Sequence, residues 1–197
     1  MPNATAIDRK TLINAHRDAP EGMMFYASIG ELRKDNSLAP YWLAVNRAWR
    51  ALSLNGVLCV EGVPTLYLSV RNKRVSAEEA AKLHCSFWNH GLATVFVLVD
   101  TTQVRIFSAT AKPEQTKSND GQLAGLVETM DSTRYALQLH SFLLQLGTGA
   151  YYRSHGQKFD PDSAVDAFLI NNLRTLRNEL IDPKCGLPVE TAHVFLA

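Results

Sequence analysis

The residues that come closest to a catalytic motif lie at the ends of two neighbouring apolar runs. Glu61 follows the first run, and Ser69-Val70-Arg71 closes the second. A Mg²⁺-dependent nuclease needs a carboxylate early in such a hairpin and a Glu/Asp-x-Lys triplet on the next strand, because the carboxylates hold the metal and the lysine helps to activate water. Serine cannot replace a charged ligand. We therefore predict that Glu61, the weak candidate for a metal ligand, is a turn residue and that no metal is bound. The alternative is an active nuclease that uses Glu61 or Asp100.

A second group of potential ligands, His84, Cys85 and His90, falls on a predicted helix. Side chains 84 and 85 point about 100° apart on a helix, whereas a metal site or a nucleophile with its base needs side chains that converge. No fourth ligand stands at metal spacing, and the other cysteines, Cys59 and Cys185, form no CxxC pair. This pattern favours neither a structural zinc nor a disulfide framework.

Glycine-rich motifs for nucleotide cofactors are missing from the sequence. It contains neither GxGxxG nor GxxxxGK[ST], and Gly147-Thr148-Gly149 lies between predicted helices, which is typical of a helix stop. An adenine-specific DNA methylase also needs an Asn/Asp-Pro-Pro-Tyr/Phe site for the flipped base, and the sequence has none. We predict no catalytic residue and no cofactor in this segment.

Basic residues supply the candidates for contacts with DNA. They follow the second strand or lie on the last strand and the long C-terminal helix: Arg71, Lys73, Arg74, Arg105, Arg174 and Arg177. Lys and Arg number 20 and Asp and Glu number 19, so the net charge of +1 does not attract nucleic acid to the molecule as a whole. DNA binding would have to be weak and come from a local patch, and a solvated surface is the simpler interpretation.

The hydrophobic pattern predicts an α+β fold. Trp42 and Trp49 belong to an apolar stripe at helical spacing, and Ser76 with Glu79 forms a capping box. The expected elements are helix 40–54, strands 57–60 and 64–70, helix 76–90, strands 94–99 and 104–108, and helices 131–146 and 161–180. We predict a small mixed sheet with the helix-hairpin-helix-strand order of a restriction-endonuclease core, followed by a helical segment. The side chains expected to be largely buried are Trp42, Trp49, Leu83, Phe87, Val97 and Phe107.

Four segments are predicted along the chain. Residues 1–38 form an N-terminal extension that packs on the core, 39–110 the α/β nuclease-like core, 111–130 a loop and 131–197 a helical segment. The sequence stops inside a helix predicted from Pro188, so we expect a longer parent protein. Apolar residues make up 46% of the chain, but no run reaches the ~18–20 residues of a membrane span, and the N-terminus lacks the apolar core of a signal peptide. We predict a soluble, cytoplasmic protein with no membrane partner.

Three stretches carry a resemblance to a known family. They are Ala48-Trp49 to Leu58 with Gly62 to Leu68; Leu83-His84 with Phe87 to Gly91, Val95 to Asp100 and Val104 to Phe107; and Phe159-Asp160 with Val165-Asp166 and Leu169 to Leu180, which contains Asn-Leu-Arg-x-Leu-Arg. Residues 40–197 resemble the N-terminal region of large adenine-specific DNA methyltransferases of restriction-modification and phage-defence systems. In such proteins this nuclease-like region precedes the methylase domain, and a helical segment like 161–197 leads to it.

The resemblance implies a parent protein that uses S-adenosylmethionine, with DNA, the remainder of the parent chain or defence-system subunits as partners. The family's methylase motifs lie outside this sequence, so no catalytic residue is carried over. The leading hypothesis is a non-catalytic module that positions DNA or docks a partner subunit. An active Mg²⁺-dependent nuclease domain and a pure protein-interaction domain are the alternatives.

Overall fold

The computed structural model describes residues 8–90, 92–113, 123–160, 165–182, 188 and 191. Its elements, in chain order, are α1 (Arg9–Arg17), β1 (Met23–Tyr26), α2 (Ile29–Leu32), a 3-10 helix (Asn36–Tyr41), α3 (Trp42–Leu52), β2 (Gly56–Val60), β3 (Val63–Val70), α4 (Ala77–His90), β4 (Val95–Val99), β5 (Val104–Ser108), β6 (Leu126–Met130), α5 (Ser132–Gly147), α6 (Ala150–Ser154), a 3-10 helix (Gly156–Lys158) and α7 (Val165–Ile181). Within the described ranges, no helix combines the length and apolar character that crossing a bilayer requires.

The strands form one mixed sheet in which they lie in chain order, from β1 at one edge to β6 at the other. β3 and β4 are parallel, and α4 connects them because parallel neighbours need a crossover. All other neighbouring strands are antiparallel. Glu61-Gly62 joins β2 to β3 with φ angles of 49° and 77°, the left-handed pair that a two-residue hairpin turn requires and that glycine tolerates best.

Both faces of the sheet are covered by apolar side chains from helices. On one face, Tyr67 and Phe96 pack with Leu52 of α3 and Phe87 of α4. On the other face, strand residues pack against α1, α5 and α6, and the core residues there include Leu12, Leu68, Val97, Leu139 and Tyr151. Successive strand residues point to opposite faces, so a strand covered on both sides is apolar throughout, as in β4, where all five residues are buried.

The predicted mixed sheet is confirmed, and it is wider than expected. Strands 57–60, 64–70, 94–99 and 104–108 correspond to β2, β3, β4 and β5, and helix 76–90 corresponds to α4. The loop predicted at 111–130 is wrong for 126–130, which forms β6 and pairs with β5. Residues 114–122 of that loop, the start of the helix predicted at 161–180 and almost all of the helix predicted from Pro188 lie outside the described residues.

The predicted N-terminal extension supplies one strand of the sheet and helices that pack against it. Met23 to Tyr26, expected to pack on the core, form the edge strand β1, which pairs antiparallel with β2. Of the side chains predicted to be buried, Phe87, Val97 and Phe107 are fully buried. The other three, Trp42, Trp49 and Leu83, are half-buried and pack against the core.

Candidate nucleic-acid interface

The C-terminal end of α3 is held by two side chains from the end of β3. The helix stops at Ser53, whose φ of 47° is left-handed, and its last carbonyl groups lack helical partners. Ser69 Oγ donates to the carbonyl oxygens of Leu52 and Ser53 at 3.2 Å each, and Arg71 Nη2 donates to that of Leu52 at 2.9 Å. A cation here also offsets the negative end of the helix dipole. Ser69 and Arg71 therefore terminate α3.

Asn55 anchors the same end of β3. Its backbone N–H donates to the carbonyl oxygen of Leu68 at 2.7 Å, and its Oδ1 accepts from the backbone N–H of Val70 at 2.6 Å. On the other side, the backbone N–H of Arg71 donates to the carbonyl oxygen of Val99 at 2.8 Å. The loop after β3 thus starts from backbone that is fixed by both neighbouring strands.

An open pocket of about 670 Å³ lies at this corner, and we call it the basic pocket. It is lined by Arg9 from α1, Arg50 from α3, and Arg71 and Lys73 from the loop after β3. None of the described residues that line it is Asp or Glu, and the ion pairs found within the described chain involve none of these four cations. A concave surface with cations from three elements and no carboxylate is suited to bind an anion.

Sequence reasoning identified half of this basic set. Arg71 and Lys73 were candidates because they follow a strand, but Arg9 and Arg50 were not. Arg50 is exposed on the face of α3 opposite the buried Val45, so helical periodicity could have placed it on the surface. Nothing local indicates that Arg9 lies beside it, because α1 reaches this corner through tertiary packing.

Arg74, the third cation of the predicted cluster, belongs to a different cavity. It lines a second pocket of about 600 Å³ together with Gln103 and Arg105, at the start of α4 and beside β6. The loop after β3 therefore divides its cations between two cavities. Arg71 and Lys73 are brought together, and Arg74 is separated from them.

Arg105 was a candidate for DNA contact, but its guanidinium group is buried and bonded to groups inside the protein. The side chain is 7% exposed, and Nη2 lies 3.1 Å from Asp100 Oδ2. The same guanidinium donates to the backbone carbonyl groups of Val75 and Ser76. Reaching a phosphate would break these bonds and leave Asp100 as an unpaired buried charge. Arg105 thus connects β5 to the segment before α4 and is not available for contact with DNA.

Asp100 is the other candidate carboxylate for a nuclease site, and both of its oxygens already accept hydrogen bonds. Its Oδ1 accepts from Thr102 and the backbone N–H of Gln103, and its Oδ2 accepts from the backbone N–H of Val75 and from Arg105. Burial alone would raise the pKa of this carboxyl group, but the hydrogen bonds outweigh burial and lower the pKa. The carboxylate is a structural acceptor with no oxygen left for a metal.

Glu61 lies at the far end of the β2–β3 hairpin from Ser69. It is exposed in the tight turn, as predicted, and β3 between Val63 and Ser69 is roughly 20 Å long at the usual rise of a strand. Two ligands of one metal ion cannot be so far apart. Within the described residues, no group of three or more His, Cys, Asp and Glu side chains is arranged to hold a metal ion.

The histidines and the cysteine of α4 diverge. His84 is buried, its Nε2 lies 2.9 Å from the carbonyl oxygen of Ser108, and its ring stacks on that of Phe107. Cys85 is exposed and His90 is half-buried. Arg174 and Arg177, the remaining basic candidates, lie on α7 and line neither pocket.

In comparisons with protein-family models, curated proteins and solved structures, nothing matches this chain.

We expect the chain to leave supercoiled plasmid DNA uncut in the presence of Mg²⁺ or Mn²⁺, because Glu61 is remote from Ser69 and the oxygens of Asp100 are occupied. Conversion of supercoiled to nicked or linear plasmid on agarose gels measures this. Cutting by the wild type that disappears in Glu61→Ala would contradict the expectation, since that variant removes a surface carboxylate without touching the core.

Proposed function

We propose that this chain is a non-catalytic DNA-binding module of a larger DNA-modifying protein, and that it holds the phosphate backbone at the basic pocket. The observation that carries the proposal is the convergence of Arg9, Arg50, Arg71 and Lys73, from three separate elements, around a cavity with no carboxylate in its lining. Arginine and lysine side chains are among the groups that contact phosphate oxygens, and roughly half to two-thirds of protein–DNA hydrogen bonds go to phosphate and sugar.

Electrostatics supports phosphate as the ligand. Like charges held close together repel one another, so a bound anion stabilises this corner of the protein. The net charge of +1 supplies no general attraction, so the affinity rests on local contacts. Without base-reading contacts such binding is insensitive to sequence and falls in the range of about 10⁻⁴–10⁻⁶ M at physiological salt.

The nature of the parent protein rests on the sequence resemblance. We propose an S-adenosylmethionine-dependent, adenine-specific DNA methyltransferase of a restriction-modification or phage-defence system, in which this nuclease-like segment positions DNA for the methylase domain. A module that lacks its own chemistry fits that role, because Ser69 and Arg71 terminate α3 where a nuclease would carry metal ligands and a lysine.

Docking to a protein is a second candidate function, which one observation favours. On α7, large apolar side chains are exposed at helical spacing: Leu169, Ile170, Leu173 and Leu176. An apolar stripe of this kind is normally covered by another element. We propose that α7 packs against the remainder of the parent chain, which leaves the basic pocket open to DNA.

The experiment is a fluorescence-anisotropy titration of a labelled duplex with the wild type and with the triple variant Arg9→Gln/Arg50→Gln/Lys73→Gln. Arg71 is kept because it terminates α3. We expect the triple variant to bind all duplex sequences more weakly and to lower the slope of log K against log salt by roughly 2–3, about one for each lost phosphate contact.

A charge-matched control separates the pocket from bulk charge. Arg33→Gln/Lys34→Gln/Lys82→Gln removes the same number of exposed cations elsewhere on the surface. This control should bind like the wild type. Equal weakening by both triple variants, or no change in either, would rule out the basic pocket as the phosphate site.

A further inference from the structure

Trp49 gives the basic pocket an aromatic wall. On α3, Val45, Ala48 and Leu52 point into the core, and Trp49 lies at the border of that buried face. Trp49 is half-buried: it packs against the core and also lines the pocket beside Arg50. Phosphate binding alone does not require a flat apolar ring among the cations.

We propose that the basic pocket holds one unstacked nucleotide of a single strand, with its base against Trp49 and its phosphates on the surrounding cations; this rests on the proposed DNA-binding function. Aromatic rings and basic side chains along one groove are the chemistry that binds single-stranded nucleic acid, because every base has a π-face and every nucleotide has a phosphate. The exposed amide of Asn72, also in the lining, adds a hydrogen-bond donor and acceptor for the sugar or a base edge.

The size of the pocket supports this occupant. A volume of about 670 Å³ lies within the range of sites for single small molecules, roughly 300–1,000 Å³, and a whole duplex cannot enter it. In a duplex the base faces are covered by stacking, so an intact duplex can offer only its backbone to Trp49 and Arg50. A strand end, a frayed end or an extruded nucleotide offers both an uncovered base face and a phosphate.

The test compares three probes that share one labelled 12-nucleotide strand: the single strand, its blunt duplex and a duplex with a single-stranded overhang. Anisotropy titrations use the wild type, Trp49→Leu and Trp49→Phe. We expect the wild type to bind the single strand and the overhang more tightly than the blunt duplex. Trp49→Leu should weaken binding to the single strand on the order of 10-fold and leave both the blunt-duplex affinity and the salt slope unchanged. Trp49→Phe should retain most of the affinity because it keeps an aromatic face.

Trp42→Leu is the matched control, since Trp42 is a half-buried tryptophan of the same helix that does not line the pocket. It should bind all three probes like the wild type, and circular dichroism verifies that each variant is folded. If Trp49→Leu does not fold, quenching of tryptophan emission by the single strand tests the site. We expect the single strand to quench the emission of Trp42→Leu. The quenching should be strongly reduced in Trp49→Phe, which lacks the indole of the pocket.

Two failures are distinguishable. If no probe binds, or if Arg9→Gln/Arg50→Gln/Lys73→Gln binds like the wild type, the proposed function fails. If the cation variant weakens all probes but the wild type does not favour the single strand and the Trp49 variants have no effect, the proposed function stands and the nucleotide site is wrong.

Discussion

Asp100→Asn should lower the free energy of unfolding by about 3–5 kcal/mol, the usual cost of breaking a buried ion pair from one side. The carboxylate accepts from Val75, Thr102 and Gln103 as well as from Arg105, and its side chain is 1% exposed. An asparagine amide turns an NH₂ group toward these donors and leaves the Arg105 charge buried without a counter-ion. Urea unfolding followed by circular dichroism measures the change, with the m-value verifying that the transition stays two-state.

The double variant Asp100→Asn/Arg105→Met should recover part of the loss, because it removes the unpaired charge and keeps an apolar side chain of similar length. Glu78→Gln is the control for an exposed pair, since Glu78 and Lys82 are 80% and 75% exposed and such pairs contribute little. A loss below about 1 kcal/mol for Asp100→Asn would mean that the ion pair does not hold the segment before α4.

His16 should make the protein less stable in mild acid. It lies on α1 and is buried against α5, where Nδ1–H donates to the carbonyl oxygen of Leu12 at 2.8 Å and Nε2 accepts from the hydroxyl of Tyr135 at 3.0 Å. Burial lowers the pKa of His16 from 6.5 to about 4, against a smaller opposing effect of the bond to Leu12. Since the unfolded chain takes up a proton more readily, stability is fully present above pH 6.5 and falls as the pH decreases toward 4.

The expected loss from His16 is about 2 kcal/mol between pH 7.5 and 5.0, from the separation of the two pKa values. Urea midpoints across this range measure it. His16→Gln should remove this part of the pH dependence, whereas Tyr135→Phe should retain it because the histidine stays buried. Burial also lowers the pKa of His84, so the dependence left in His16→Gln has the same sign. Parallel pH profiles for the wild type and His16→Gln would contradict this prediction, because they would mean that His16 has the same pKa in the folded and the unfolded protein.

The elements that could be predicted carry a local signal. α4 begins with a capping residue, and the structure contains the expected bond from the backbone N–H of Glu79 to Ser76 Oγ at 3.1 Å. β4 and β5 are nearly continuous apolar or β-branched runs bounded by polar turns. In each case the local pattern and the tertiary environment agree, so the sequence is sufficient.

The missed elements depend on tertiary contacts. β1 has four residues and becomes a strand by pairing with β2. The ring of Phe25 lies so close to Gly56 that a Cβ atom at position 56 would overlap the ring. α1 buries a histidine, which an apolar pattern does not register. The basic pocket was predicted only in part for the same reason, since tertiary packing places Arg9 of α1 and Arg50 of α3 around the same cavity.

Among the described strands, hydrogen-bonded neighbours are always consecutive in sequence. Two of the five connections are tight turns, from β2 to β3 and from β4 to β5, and closing these loops costs little chain entropy. Such local pairings are associated with faster folding than pairings between distant segments. The pairings of β1 with β2 and of β3 with β4 are different, because helices lie between the paired strands and longer loops must close. The hairpins β2–β3 and β4–β5 can form independently. The parallel pairing of β3 with β4 then joins the two hairpins into one sheet and one domain.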